Sequence, residues 1–174
     1  VENVAIEACE FWFSLMLQHE AHVEIRRNIG PLVRGAIDMC ILTDEEMLRE
    51  REEEEQQANG EKKIYFRASK EDKSGNGNDE KMTQYTIRRS AALLLDNISQ
   101  LFPQTIISIV VEKVQGLLKA GGPSQEEALK RECGMLVLGA IAAGCEAHLA
   151  MILPGIFPFL ILGMQDSMPE VRAI

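Results

Sequence analysis

Apolar residues recur at helical spacing along most of this chain. Residues 22–42 illustrate the pattern, because every third or fourth position is apolar along one stripe: Ile25, Ile29, Leu32, Val33, Ala36 and Ile37. Such spacing is typical of the buried face of an amphipathic helix. The same pattern predicts six helices, at residues 2–18, 22–42, 85–101, 103–119, 125–144 and 149–165. Gly30-Pro31 is predicted to kink or split the second of these helices.

The predicted helices repeat at a regular interval. Ile87, Leu129 and Val171 each open a helix, each is followed by a basic residue, and successive starts lie 42 residues apart. A period of ~40–47 residues is that of HEAT and armadillo repeats, in which helix pairs stack on their neighbours. The sequence therefore predicts an all-α HEAT-repeat solenoid of antiparallel helix pairs that wind into a right-handed superhelix, without a β-sheet.

The period is broken once, between residues 43 and 84. The next equivalent helix start upstream of Ile87 is Val4, about two periods away, so one repeat carries an insertion. Residues 1–42 are predicted to hold the second helix of one repeat and the first helix of the next. Residues 85–174 continue the array and end where a further helix begins, at Val171. Since the sequence also lacks an initiator Met, we expect it to be a segment of a longer protein.

Composition and charge agree with this fold and narrow the function. Hydrophobic residues make up 46% of the chain but aromatic residues only 5%, a balance more typical of helical repeats than of sandwiches and barrels. The net charge of -9 argues against a nucleic-acid surface and favours basic partners. The four cysteines, Cys9, Cys40, Cys133 and Cys145, form no CxxC pair and are predicted to be buried, reduced thiols.

Two features with possible chemistry are given structural interpretations. The apolar run of residues 149–164 is shorter than the ~20 residues of a membrane span, and Pro154 and Pro158 interrupt it. We expect it to be a buried solenoid helix. His19-Glu20-Ala21-His22 lacks the spacing of the zinc motif His-Glu-x-x-His. No catalytic constellation is found, so we predict neither an enzyme nor a cofactor or metal site.

The insertion has two halves of different chemistry. Residues 44–55 are strongly acidic, whereas residues 59–78 are rich in Gly, Asn, Ser and Lys and are predicted to be disordered. An apolar patch, Ile64-Tyr65-Phe66-Arg67, interrupts the second half. The insertion is either a solvated tether without a role, or an acidic lever that competes with a basic partner. Screening by salt beyond about 8–10 Å means that such a lever would act only at close range.

Four helices resemble one known family. Ala5-Ile6-Glu7-Ala8-Cys9-Glu10-Phe11-Trp12 is similar to a helix of the transportins, the karyopherin-β2 family of the importin-β superfamily. So are residues 88–96, the run Gly134-Met135-Leu136-Val137-Leu138-Gly139-Ala140-Ile141-Ala142, and residues 169–174. The resemblance covers nearly the whole chain except the interior of the insertion.

The resemblance implies a nuclear import receptor that shuttles between cytoplasm and nucleus. Its expected partners are the GTPase Ran in its GTP form, cargo proteins with basic or Pro-Tyr localisation signals, and nucleoporins, but no nucleic acid and no membrane. The family's cargo-lining positions correspond to Ala92, Asp96, Leu136 and Ile174, all on second helices that face the concave side. The residues of the insertion that would couple Ran binding to cargo release are Asp44, Glu45, Glu46, Glu52, Glu53, Glu54, Glu55, Ile64, Tyr65, Phe66 and Arg67.

The chain departs from the family pattern in the insertion and beside it. The insertion is shorter than the family's acidic loop, and five lysines dilute its charge. Ala143 stands where the family often has Glu, and Tyr85 where it has Trp. A structural HEAT scaffold for protein assembly is the alternative interpretation, and it would not need an acidic insertion.

Overall fold

The computed structural model describes residues 2–41, 86–122 and 124–173. The regular structure of these ranges is entirely helical, and they contain no strand. The helices are α1 (Glu2–Met16), α2 (His22–Met39), α3 (Ile87–Leu101), α4 (Pro103–Leu118), α5 (Gln125–Ile141), α6 (Glu146–Met164) and α7 (Pro169–Ala173), with a 3₁₀ turn at His19–Ala21 between α1 and α2. They belong to one compact unit that comprises residues 1–41 and 85–174. The all-α prediction is confirmed.

Local sequence signals determine where the helices begin. The Thr86 side chain accepts a hydrogen bond from the Arg89 backbone N–H at 3.2 Å, which caps the amino terminus of α3. Ser124 caps α5 in the same way, through the Glu127 backbone N–H at 3.4 Å. Pro103 occupies the first turn of α4, where its missing N–H costs nothing. Each cap satisfies a backbone donor that would otherwise have no partner within its helix.

Consecutive helices form antiparallel pairs. Arg131, in the first half of α5, donates to the Ala120 carbonyl just after the end of α4 at 3.0 Å, and Leu118 packs beside Gly134 near the middle of α5. Cys145, just after α5, donates its S–H to the Pro103 carbonyl at the start of α4, with a sulfur–oxygen distance of 3.8 Å. Since the end of each helix meets the beginning of the other, α4 and α5 form one helical hairpin of the kind that HEAT repeats stack.

The pairs stack in two layers. The first helices of successive pairs contact one another in the order α2, α4, α6, and the second helices contact one another in the order α1, α3, α5, α7. The core lies between the layers; its largest fully buried side chains are Ile25, Ile37, Leu94, Leu95, Ile98, Ile106 and Ile141. α3, α4 and α5 thus bury their apolar stripes against neighbouring repeats as well as against one another, which is the HEAT-solenoid architecture.

Of the predicted kink or split at Gly30-Pro31, the split is wrong, because α2 runs continuously from His22 to Met39. Pro31 cannot donate to the carbonyl of Arg27, four residues earlier. Both residues lie on the exposed face of α2, where water can satisfy that carbonyl. The apolar stripe on the opposite face keeps its packing, so the helix tolerates the proline.

The boundary between the last two long helices also differs from the prediction. α5 ends at Ile141 rather than at residue 144, and α6 begins at Glu146 rather than at residue 149. Cys145 lies between them with a non-helical backbone, and its N–H bonds back to the Ile141 carbonyl at 2.9 Å. The turn therefore takes up residues 142–145, which the apolar periodicity had assigned to α5.

The prediction that the apolar helix near the carboxyl end is buried is wrong for most of α6. Only Ile156 and Gly163 are buried there, whereas Met151 and Met164 are 73% and 77% exposed. α6 packs on α4, α5 and α7 with one side, and its other side meets no helix of the described chain. Judged by length and composition alone, it is also the one described helix that could cross a membrane. Its contacts place it in the first-helix layer.

Candidate functional site

α3 and α5 contact each other and carry three of the four predicted cargo-lining residues, and we call their line of contact the α3–α5 seam. The Arg88 guanidinium, in the first turn of α3, pairs with the Glu132 carboxylate on α5. Ser99, near the end of α3, lies against Gly144, just beyond the end of α5. These two contacts show that the helices run parallel. Ala92 and Asp96 lie on the stretch of α3, and Leu136 on the stretch of α5, that the two contacts bracket.

Asp96 places a carboxylate on α3, between the two contacts with α5. Its side chain is half-buried, and its Oδ1 accepts a hydrogen bond from Gln100 Nε2 at 2.9 Å. The partners are four residues apart, the spacing at which side chains meet on one helix face. The hydrogen bond orients the carboxylate while part of it remains accessible. A carboxylate in this setting can accept charge-assisted hydrogen bonds from the Lys or Arg side chains of a ligand.

The two apolar positions differ in what they expose. Ala92 is only 5% exposed and belongs to the core, so it supports the seam from beneath and offers a ligand almost no surface. Leu136 is half-buried and packs against the core with part of its side chain accessible. The described part of the seam therefore combines one carboxylate with a small apolar surface.

The remaining predicted positions lie outside the described residues. These are Ile174 and all the coupling residues of the insertion: Asp44, Glu45, Glu46, Glu52, Glu53, Glu54, Glu55, Ile64, Tyr65, Phe66 and Arg67. Their roles stay predictions.

A second ion pair fastens α5 to the connection between α6 and α7. Arg131 donates from Nε to Asp166 Oδ2 at 2.8 Å and from Nη2 to Oδ1 at 3.2 Å, a two-pronged contact. Its Nη1 donates to the Ala120 carbonyl at 3.0 Å. The hydrogen bond from Arg131 lowers the pKa of Asp166 below its ordinary value. The same carboxylate accepts from the Met168 backbone N–H at 3.0 Å, so one charged group organises the turn into α7.

The four cysteines are buried and free, as predicted. Burial raises the pKa of Cys40 to about 12, and burial likewise raises the pKa of Cys9, Cys133 and Cys145. A thiol is nucleophilic only as its thiolate, so these side chains are unreactive at neutral pH.

The two neighbouring histidines serve the junction between α1 and α2. His22 Nε2–H donates to the Met16 carbonyl at 2.9 Å, and its ring meets Phe102 edge to face at a centroid distance of 5.6 Å. The Arg26 guanidinium lies over the same Phe102 ring, 5.4 Å from its centroid. In residues 2–41, 86–122 and 124–173, no group of three or more His, Cys, Asp or Glu side chains could hold a metal ion.

Comparison with known proteins agrees with this architecture. Residues 129–174 match the HEAT-like repeat family. Transportin-1 of Oryza sativa subsp. japonica is 30% identical over 99% of this chain, and importin subunit beta-2 of Schizosaccharomyces pombe is 22% identical over 99% of it. Transportin-1 of Homo sapiens is 27% identical over 98%. This chain is transportin-like. The resemblance inferred from its helices is thereby confirmed.

The transportin-like chain spans about a fifth of the length of these relatives, 20% to 22%. At identities of 22% to 30%, most positions of this chain differ from those of the relatives. The residues of the seam in this chain must therefore be judged by their own contacts.

Sequence reasoning missed the Arg88–Glu132 and Arg131–Asp166 ion pairs. Glu132 lies in the apolar stripe of α5, between Leu129 and Leu136. Glu132 and Leu129 are buried, and Leu136 is half-buried. A charged residue in an apolar stripe indicates a buried partner, since such side chains are almost never fully buried unless paired. That signal was present in the sequence. The identity of the partner, Arg88 at a distance of 44 residues along the chain, was not.

Proposed function

We propose that this transportin-like chain is the cargo-binding segment of a nuclear import receptor. It binds basic or Pro-Tyr localisation signals along the α3–α5 seam, and Ran-GTP releases them through the insertion of residues 43–84. Similarity to transportins over nearly the whole chain supports this proposal. The absence of a matching enzyme motif, and the HEAT-like repeat at residues 129–174, agree with a receptor that works by binding.

The observation that carries the proposal is the oriented carboxylate of Asp96 on α3, which runs parallel to and in contact with the helix that carries Leu136. A localisation signal of this kind presents basic side chains together with an apolar one, so it needs a carboxylate beside a small apolar surface. Asp96 supplies the first and Leu136 the second, on two helices that the parallel packing keeps in register. A partly desolvated pair between Asp96 and a cargo Lys or Arg should contribute ~1–3 kcal/mol.

The test replaces Asp96 and measures the affinity of a basic Pro-Tyr peptide by calorimetry. Asp96→Lys reverses the charge and should weaken binding about 5–150-fold, which is the same ~1–3 kcal/mol expressed as an affinity ratio. Glu112→Lys is the matched control, because it makes the same charge change at an exposed position of α4, in the first-helix layer. Equal affinities for the two variants would remove Asp96 from the site.

The partners that the protein retains distinguish an import receptor from a structural scaffold. A receptor of this class should retain Ran in its GTP form in a pull-down and release it in the GDP form, and it should exchange between cytoplasm and nucleus through contacts with nucleoporins. A structural HEAT scaffold would retain neither form. Absence of any nucleotide-dependent retention by the intact protein would favour the scaffold.

A further inference from the structure

The exposed side of α6 is apolar along most of its length. Its large exposed residues range from 41% to 77% exposure and are Met151, Leu153, Phe157, Ile161, Leu162 and Met164. No acidic or basic residue lies between Glu146 and Asp166, although the chain carries a net charge of -9. Because an unpaired charge or polar group is costly to bury, a partner for this surface must be apolar where it touches α6.

Comparison with α4 shows that a missing neighbour does not account for this apolarity. α4 contacts a first-type helix on each side, α2 and α6. The positions of α4 that stay exposed between them hold Gln104, Ser108, Glu112 and Gly116, followed by Lys119 after the helix.

The repeat spacing of 42 residues assigns the equivalent positions of α6. They are Glu146, Ala150, Pro154, Pro158 and Ile161, and all five are exposed. The buried Val114 of α4 corresponds at the same spacing to the buried Ile156 of α6, which supports the alignment. α6 therefore carries apolar residues at positions where α4, with a neighbour on each side, is polar.

This face of α6 has a hole beside a projecting side chain. The hole lies between four exposed residues at the spacing i, i+3, i+4 and i+7, which are Ala147, Ala150, Met151 and Pro154. Phe157 projects one turn further along and is 52% exposed. A hollow of about 350 Å³ lies here, lined by Ala150, Leu153, Pro154, Phe157 and Pro158. Four residues at this spacing form the kind of hole that one side chain of a facing helix fills.

A second copy of α6 fits this surface. In an antiparallel pair with its twofold axis at Pro154, residues equally far from the axis on opposite sides face each other. Phe157, three residues after the axis, then faces Met151, three residues before it, and fills the hole that Met151 borders. The axis repeats this contact on the other side, so the interface is isologous.

The apolar area is also sufficient for a dimer. With ~200 Å² for a fully exposed large residue, the six large residues leave up to about 700 Å² accessible. Each partner in a standard interface contributes ~800 Å². A second α6 adds no charge to the contact, whereas the net charge of -9 makes other surfaces of two copies repel each other.

We propose that two copies of this chain form a symmetric dimer through α6, with the two helices antiparallel and the axis at Pro154. The contact lies in the first-helix layer, so it leaves the α3–α5 seam of the second-helix layer accessible. This dimer does not depend on the proposed function, and its failure would leave that function untouched.

The first experiment is analytical ultracentrifugation of the 174-residue chain over a range of concentrations. A monomer–dimer equilibrium is expected, with a dissociation constant on the order of 10 µM, the weak end for an interface of this size. Higher salt should strengthen the dimer, since it screens the repulsion between two acidic chains.

Substitutions locate the interface. Phe157→Glu places a charge in the hole of the other copy and should weaken the dimer by about tenfold or more. Val23→Glu is the matched control, because Val23 is a 60% exposed apolar residue in the first turn of α2, in the same layer. It should leave the dissociation constant within about twofold of wild type. Equal effects of the two variants would overturn the assignment to α6. Circular dichroism checks that both variants are folded.

Cross-linking tests the symmetry. In oxidised glutathione, Pro154→Cys should form a covalent dimer, because the two introduced thiols meet at the axis. Met164→Cys is the control, since the antiparallel arrangement separates its two thiols by about 30 Å along the helices. The four native cysteines are buried and should not contribute. A covalent dimer of Met164→Cys, or none of Pro154→Cys, would refute the antiparallel pair.

The remaining outcomes also decide the proposal. A mass that keeps growing beyond the dimer would mean that the ends of the solenoid stack on one another, which would overturn it. A chain that stays monomeric at all concentrations would refute it. If that monomer floats with neutral phosphatidylcholine vesicles, the occupant of α6 is a lipid surface instead of a second copy.

Discussion

Replacing Gly144 by alanine adds one methyl group at a close contact between α3 and α5, two neighbours in the second-helix layer. Gly144 follows α5 and lies against Ser99 and Gln100 at the end of α3. A Cβ at this position would overlap Ser99 Oγ and the Ser99 carbonyl carbon, and would lie 2.6 Å from the Gln100 backbone nitrogen. Two of these atoms belong to the backbone of α3, which no side-chain rotation can move. The helices must therefore separate.

The cost follows from that geometry. Overpacking a well-packed contact costs ~1–3 kcal/mol, and obstruction by backbone puts this case toward the upper end. Gly144 does not have a positive φ, so alanine adds no backbone strain of its own. Alanine also reduces the entropy of the unfolded chain, which offsets ~0.4–1 kcal/mol. We expect a net loss of ~1–2.5 kcal/mol in the free energy of unfolding.

Urea denaturation of the 174-residue chain, followed by circular dichroism, measures this loss as a lower midpoint. Thermal melting should show a decrease of about 2–10 °C, since ~1 kcal/mol shifts the midpoint by ~2–4 °C in a chain of this size. Gly139→Ala is the matched control. Gly139 is exposed in α5, and a Cβ there meets nothing within 4 Å.

The stability of the control variant, Gly139→Ala, should change in the opposite direction. In the middle of a helix alanine is more favourable than glycine by ~0.5–1 kcal/mol, so Gly139→Ala should raise both midpoints slightly. If Gly144→Ala is as stable as Gly139→Ala, the close approach of α3 and α5 does not exist in solution. The parallel register of the seam would then lose one of its two supports.

Three further predictions concern acid stability, thiol reactivity and the insertion. The Arg131 hydrogen bond lowers the pKa of Asp166 in the folded chain. The ionised Asp166 carboxylate therefore stabilises the fold at pH values above its pKa in the unfolded chain, about 3.9, and this stabilisation is lost as pH falls through its pKa in the folded chain. Asp166→Asn should therefore be less stable than wild type near neutral pH, by urea midpoint, and the difference should shrink in acid; a difference independent of pH would contradict this. With burial raising the pKa of Cys40 to about 12, and that of the other three cysteines, the folded chain should resist a thiol-specific dye near pH 8 and react fully only in denaturant; rapid labelling of the native chain would refute that. Deleting residues 44–82 in the intact receptor should preserve cargo affinity without Ran but blunt a Ran-driven release of about 5–150-fold; equal release from both proteins would make the insertion a passive tether.

The sequence alone determined the class of fold and the place of the insertion. A helix is specified by the spacing of its own apolar residues and by its caps, and both are properties of short segments. The starts at Ile87, Leu129 and Val171 therefore revealed the repeat, and the missing start before Ile87 predicts that residues 43–84 are inserted. The burial of the four cysteines followed from the same periodicity. The solenoid follows because each predicted stripe needs a partner in the next repeat.

Only the tertiary structure decided which residues meet across that stack. Ala92 was predicted to line a ligand surface, but packing between α3 and its neighbours buries it. Gly30-Pro31 was predicted to kink or split α2, but the helix is not split, because Pro31 lies on the exposed face where the lost hydrogen bond is tolerable. The position of Glu132 in an apolar stripe indicated a buried partner but did not identify it. Nothing in the sequence indicated that Gly144 contacts Ser99. The physical reason is that periodicity fixes which face of a helix is buried, whereas the register between two helices depends on side-chain volumes distributed over both, more than 40 residues apart in the chain.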